Sequence, residues 1–257
     1  MTAQASFDAA ELESKVQAMY HAVATNPGGS FHFEMGRVLA ERLGYPPGVL
    51  DRIPAEAIES FAGVGYHFDL AALQSGEKVL DLGSGSGMDA FFAALRVGET
   101  GHVAGIDMTP AQLTKAELLR ADAGLRSVEF TLGHIEELPF PDATFDVVIS
   151  NGVINLSPAK ARVFAEAARV LRPGGRLAIA DIVTERPLTD AIVCNTDLWA
   201  SCIGGAAHQD VLLQIVQEAG MVLQSTKDNP YRFISAQARG ASAEYGVKSI
   251  SLLAQKG

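Results

Sequence analysis

Two stretches of this chain bring small and acidic residues to the end of a buried strand. In the first, Val79-Leu80-Asp81-Leu82 runs into Gly83-Ser84-Gly85-Ser86-Gly87. Glycines between a strand and a helix let backbone amides approach a ligand closely. In the second, the apolar run Val147-Val148-Ile149 ends in Ser150-Asn151-Gly152, and Val153-Ile154-Asn155-Leu156 follows. Ser157-Pro158 then reads as a helix start, with Ser as N-cap and Pro at the first helical position. A third apolar run closes on Asp107, where an acid would hold ribose hydroxyls. A glycine loop with an acid so placed is the pattern of a nucleotide or nucleoside site.

Two details separate the candidate ligands. The loop spacing is G-x-G-x-G, whereas dinucleotide sites use G-x-G-x-x-G. Asp81 sits at the mouth of the loop, where it would repel a pyrophosphate and attract an ammonium or a sulfonium. No Lys follows the loop, which excludes a P-loop. An amino-acid nucleoside with a positive charge fits best, and that ligand is S-adenosylmethionine.

The elements that must position these residues alternate along the chain. Strand-like runs at Val79–Leu82, Val103–Asp107, Val128–Leu132, Phe145–Ser150 and Arg176–Asp181 are separated by helical patterns at Asp89–Val97, Pro110–Ala123 (N-capped by Thr109) and Pro158–Leu171. Pro173-Gly174-Gly175 reads as a turn. A helix at His208–Ala219 and strands at Met221–Thr226 and Val247–Ala254 follow, the last antiparallel. Such alternation predicts a doubly wound, mostly parallel seven-stranded α/β sheet covered on both faces. Helical patterns at Ala9–Ala24, Phe31–Leu43 and Pro54–Phe61 make residues 1–70 an N-terminal helical cap, too short to bury much core alone. Residues 71–257 form the main domain, with an insertion at about 183–207 as a substrate lid; Gly204-Gly205 suits a hinge.

The 257 residues carry a net charge of −10, and the basic residues are scattered, which argues against a nucleic-acid partner. No apolar run is long enough to span a membrane, and the first residues do not read as a signal peptide. Two cysteines make no disulfide framework, so a reducing cytoplasm is expected. His and Cys do not cluster at metal-ligand spacing. The final strand either completes the sheet edge or supports a homodimer.

Val79–Gly87, Asp107-Met108-Thr109-Pro110, Leu138-Pro139-Phe140 and Val170-Leu171-Arg172-Pro173-Gly174-Gly175 resemble the motifs of the class I, Rossmann-like S-adenosylmethionine-dependent methyltransferases. "LGSGSGMD", "GIDMTPAQLTKA", "SNGVINLSP" with Lys160, and "CIGGA" resemble the arsenite methyltransferase branch. The resemblance implies a backbone cradle at Gly83, Ser84, Gly85 and Gly87. It implies that Asp81 lies near the methionine amine, Asp107 on the ribose and Met108 on the adenine. It implies that His134-Ile135-Glu136 lies at the adenine edge, and that the Asn151 carbonyl faces the methionine amine. His134 departs from the acid that many relatives carry; a neutral imidazole can accept a hydrogen bond there as well.

Arsenite methyltransferases of that branch carry cysteines where Val64 and Gly152 stand here, and a third that matches Cys202. As(III) is soft and wants thiolates, so one aligned thiol is a poor trap, with Cys194 as a second candidate. What remains is a small, apolar acceptor cavity. The expected reaction is methylation of a small soft nucleophile such as a thiol, sulfide or selenide by in-line displacement. The alternatives are arsenite, a larger apolar carbon or oxygen acceptor such as a quinone precursor, and a binding module without turnover. Tyr20, Tyr66, Gly152 and Trp199 are candidate substrate-pocket residues. Cys202, His32 and His67 are candidate catalytic groups, and His21 is a further cap histidine.

Overall fold

A computed structural model describes residues 8–193, 195, 199 and 203–257. Five helices precede the first strand: α1 (Ala9–Thr25), α2 (Gly36–Leu43), α3 (Pro47–Leu50), α4 (Ala55–Glu59) and α5 (Phe68–Ala71). There follow β1 (Lys78–Leu82), α6 (Met88–Val97), β2 (His102–Asp107), α7 (Pro110–Asp122), β3 (Val128–Leu132), β4 (Phe145–Asn151), α8 (Lys160–Val170) and β5 (Leu171–Thr184). The chain continues through α9 (Asp190–Val193), the two-residue β6 (Ala207–His208), α10 (Gln209–Glu218), β7 (Met221–Asp228), α11 (Ala236–Tyr245) and β8 (Lys248–Lys256).

The strands form one mixed sheet in the order β3-β2-β1-β4-β5-β8-β7, with β6 paired to β5. The first five are mutually parallel, and β8 lies antiparallel between β5 and β7. The connections reverse direction between β1 and β4. That reversal opens a crevice at the carboxyl ends of the strands, where such sheets bind ligands. The Ser150 hydroxyl ties the two ends together by donating to the Leu82 carbonyl at 2.9 Å.

Alternate residues of each central strand feed two cores, as the period of two requires. Val79, Val147 and Ile149 face one side with Phe91 and Phe92 of α6, and the cap adds Leu39, Leu43, Tyr45 and Ile58 to that core. Leu80, Leu82 and Val148 face the other side with Phe164 of α8 and Val216 of α10. Burying one such ring or branched side chain stabilises by about 1.5–3 kcal/mol. Cap and sheet therefore share a core.

Several boundaries differ from the sequence expectation. Helix α2 starts at Gly36 rather than Phe31, because Phe31 stacks on Phe33 and Phe33 on Tyr20, which holds residues 31–35 on an irregular path. Ser157 does not cap α8. Its hydroxyl accepts from the Ala159 amide at 3.0 Å and donates to Glu136, so the helix begins at Lys160. Thr109 precedes α7 but makes no side-chain cap; Asp107 accepts its amide instead. Pro173-Gly174-Gly175 lies inside a long β5, next to a register shift against β4. Between the last two strands lies α11, capped by the Ser235 hydroxyl, where the sequence pattern gave no helix. Among the described residues, no helix is long and apolar enough to cross a membrane.

Candidate cofactor and acceptor site

Above the crevice lies a cavity of about 560 Å³, within the range of small-molecule sites of about 300–1,000 Å³. The glycine loop forms its floor. Gly83 adopts φ +70°, and a Cβ there would run into the Val153 side chain. A side-chain-free position is thus required on both conformational and steric grounds. The Gly83 and Ser84 amides donate to the Ile106 carbonyl, which fixes the loop to the end of β2. Asp107 then accepts from the Gly85 amide at 2.9 Å and from the Thr109 amide at 2.8 Å.

Helix α1 covers the cavity with Leu12, Glu13, Val16 and Tyr20. Its N-cap Asp8 accepts from the Ala10 and Glu11 amides. Gln17 reaches the Met108 carbonyl at 3.4 Å, and buried Gln112 of α7 donates to the Tyr20 carbonyl at 3.0 Å. Gln112 also accepts from Ser86, so one side chain joins the glycine loop to the covering helix.

Of the residues singled out in the sequence, Asp81, Gly83, Ser84, Gly85, Asp107, Met108, His134, Ile135, Glu136, Asn151 and Tyr20 line this one cavity. Others do not. Gly87 caps α6 beneath the loop and abuts the Phe91 and Phe130 rings. Tyr66 belongs to an aromatic cluster, with its ring centroid 4.9 Å from Tyr45. Trp199 is buried behind Leu156. Gly152 faces Val64.

His32 packs edge-on to Phe33 at 4.6 Å, away from the cavity. His67 is fully buried against Phe68, and burial pushes its pKa down to about 3, so it is a neutral core side chain. His21 is exposed on α1. Of the six histidines, His134 alone lines the cavity, 3.9 Å from Glu13 across the mouth. None of the three cap histidines is placed to take a proton from a ligand here. Cys202 and Cys194 lie outside the described residues.

Sequence reading missed a network beside Asp89 and Asn151 of the cavity lining. The Tyr45 hydroxyl donates to Asp89 at 2.6 Å. Asn151 Nδ2 donates to Asp89 at 3.0 Å, to the Gly65 carbonyl at 3.0 Å and to the Tyr45 oxygen at 3.1 Å. Its Oδ1 accepts from the Val64 amide at 2.8 Å and the Gly65 amide at 3.2 Å. A signal for Asp89 existed: it is the one acid in the otherwise apolar run Met88–Leu95. Nothing in the sequence marked Tyr45.

The cavity is acidic. Glu13, Asp81, Asp89, Asp107, Glu136 and Glu137 line it, against Arg162 and His134. Burial pushes Asp89 up to about 6, opposed by its bonds from Tyr45 and Asn151. Burial, then the charges of Asp89 and Asp107, hold Asp81 well above the usual carboxylate range. Asp81 Oδ2 is buried without a hydrogen-bond partner. A buried acceptor with no donor, among crowded acids, suits an ammonium or a sulfonium and disfavours a phosphate. The residues present therefore fit S-adenosylmethionine.

Binding that cation should pull protons off these acids. The affinity for S-adenosylmethionine is expected to fall by about tenfold per pH unit below the Asp89 value of about 6. At pH 6, calorimetry in buffers of different ionisation heat should show net proton release. Equal heats in every buffer would refute the linkage.

A family model described as a methyltransferase domain matches residues 73–220. An arsenite methyltransferase of Halobacterium salinarum is 40% identical over 250 residues, 91% of this chain and 64% of that protein. The arsenite methyltransferase of Homo sapiens is 40% identical over 151 residues, 55% of this chain and 40% of that protein. The chain thus spans less than two thirds of the length of these curated relatives. Among solved structures, an arsenic(III) S-adenosylmethionine methyltransferase from Chlamydomonas reinhardtii superposes with a TM-score of 0.68 at 35% identity, over 82% of this chain and 73% of that one.

Proposed function

Since this chain belongs to the class I S-adenosylmethionine-dependent methyltransferases, in their arsenite methyltransferase-like branch, we propose that it methylates a small soft nucleophile: a thiol, sulfide or selenide. The observation that carries this reading is the contact between Val64 and Gly152. A Cβ at position 152 would lie 3.1 Å from Val64 Cγ1. The two positions where the resemblance places arsenic-binding cysteines are thus neighbours, and here both lack sulfur. Each adjoins lining residues: Gly63 on one side, Asn151 and Val153 on the other.

The proposed roles follow the geometry. Gly83, Ser84 and Gly85 offer backbone at the loop, Asp81 meets the amino group, Asp107 holds the ribose hydroxyls, and Ile135 and Met108 flank the base. When bound, S-adenosylmethionine supplies an electrophilic methyl group on a sulfonium. Val153 and Leu156 on the rim, with Leu12 and Val16 above, exclude water. An anion meeting a sulfonium loses charge on the way to the transition state, so a dry wall favours the step. The chain's main contribution is then position. A thiol needs no base, because about a few per cent is already ionised near neutral pH. Arsenite is the second reading, favoured by the names of the relatives; it would rest on Cys194 and Cys202.

The test is release of S-adenosylhomocysteine with sulfide, methanethiol, larger thiols, reduced selenite, and arsenite with glutathione. Turnover is expected with the sulfur or selenium acceptors and not with arsenite. Val64→Cys with Gly152→Cys should then raise arsenite turnover by at least about tenfold, since paired thiolates suit As(III). Gly152 has φ +75°, so the pair should also cost about 1–3 kcal/mol of backbone strain. Arsenite turnover by the unaltered chain would overturn the acceptor assignment. Silence across the panel would move it to a carbon or oxygen acceptor.

A further inference from the structure

Lys160 is a charge that neither the core nor the chemistry above accounts for. Its side chain is half-buried and does not line the cavity. Nζ donates to the Ser157 carbonyl at 2.8 Å and the Asn155 carbonyl at 3.1 Å. It also lies 4.7 Å from the centre of the Trp199 ring, the only tryptophan in the chain. The same turn is gripped from below, where Asp181 of β5 accepts the Asn155 amide at 3.0 Å. Trp199 in turn packs with Leu12 and Val16 of α1 and with Leu156, and Tyr20 and Met108 lie against that cluster. Leu12, Val16, Leu156, Tyr20 and Met108 all line the cavity. A continuous path of contact therefore runs from the ammonium, through the indole, to the apolar roof.

We propose that Lys160 is a positioning residue whose protonated ammonium, held by the 155–157 turn and seated on Trp199, fixes the roof of the cofactor cavity. This rests on the reading of that cavity as the S-adenosylmethionine site. The charge matters because an aromatic face attracts a cation, and a neutral amine loses that attraction while keeping a hydrogen bond. Burial lowers the Lys160 pKa to about 8, while Asp181 of β5 and Glu136 of the loop after β3 raise it. The seat on Trp199 therefore weakens as pH rises through that value. A lysine that merely capped the turn would affect stability alone.

Trp199 is its own reporter. In the intact 257-residue chain, tryptophan emission should titrate with a midpoint near pH 8, where the Lys160 proton is lost. Lys160→Arg keeps the cation, and Lys160→Met removes it; both should abolish that transition. At pH 7, Lys160→Met should bind S-adenosylmethionine roughly tenfold more weakly by calorimetry, and Lys160→Arg should restore most of that loss. Thiols titrate in the same range, so the unaltered transition must persist in Cys194→Ala with Cys202→Ala. The proposal is overturned if the transition survives in Lys160→Arg, vanishes with the cysteines, or if Lys160→Met binds the cofactor normally. Should Lys160→Met not fold, the arginine and cysteine variants still decide. A parent protein that titrates as expected but binds no S-adenosylmethionine would sink the cofactor reading and leave the Lys160–Trp199 contact standing.

Discussion

Asp107→Ala is expected to weaken S-adenosylmethionine binding by about 10²- to 10⁴-fold. Each hydrogen bond from a ligand hydroxyl to a carboxylate is worth about 1.5–3 kcal/mol, and a ribose offers two. The carboxylate stands at the end of β2 on the cavity wall, and the Gly85 and Thr109 amides hold its orientation. Those two amides are also the complication, because the substitution frees them and loosens the loop. Asp107→Asn separates the effects: its remaining oxygen still accepts one amide, so the loop stays more nearly in place while one ligand contact is lost. Calorimetric titration of both variants, alongside their thermal midpoints, measures the two losses separately. An alanine variant binding within about tenfold of the parent would remove Asp107 from the ribose.

Asn151→Ala should destabilise the fold by about 3–5 kcal/mol, because it breaks a buried network in one step. The side chain satisfies two amides and a carbonyl of the 64–65 turn and bonds both Asp89 and Tyr45. Removing it leaves the Val64 and Gly65 amides and the Gly65 carbonyl without that partner, beside buried Tyr45 and Asp89. For a chain of this size each kcal/mol lowers the melting midpoint by about 2–4 °C, so a fall of roughly 10 °C is expected. Losing its bond to Asp89 also removes a contact that holds that acid's pKa down, so the acid cluster should protonate at higher pH. Urea unfolding is the measurement. A loss under about 1 kcal/mol would mean that water replaces the amide, and the network would not be structural.

The residue roles differ in how far sequence could reach them. The gathering of Asp81, Gly83, Gly85 and Asp107 at one cavity was legible because strand, loop and acid are consecutive or nearly so, and backbone stereochemistry links their spacing to their geometry. The mostly parallel sheet was legible because apolar runs alternate with helical ones at the right lengths. The start of α8 was misplaced by two residues: Ser157 can bond either a helix amide or Glu136, and only the fold brings Glu136 within reach.

The cap shows the same limit. His32 and His67 were candidates by residue type, but packing against Phe33 and Phe68 turned them from the cavity. Tyr45 carried no mark in the sequence, yet it supports Asp89 and Asn151 from the far side of the site. The chain alone determined the sheet, the loop and the acids beside it, because those depend on short-range spacing and alternation. Tertiary structure alone decided which aromatic and histidine side chains line the cavity and which lysine packs behind it. Their positions depend on side-chain packing between segments far apart in the sequence, and spacing carries no record of that.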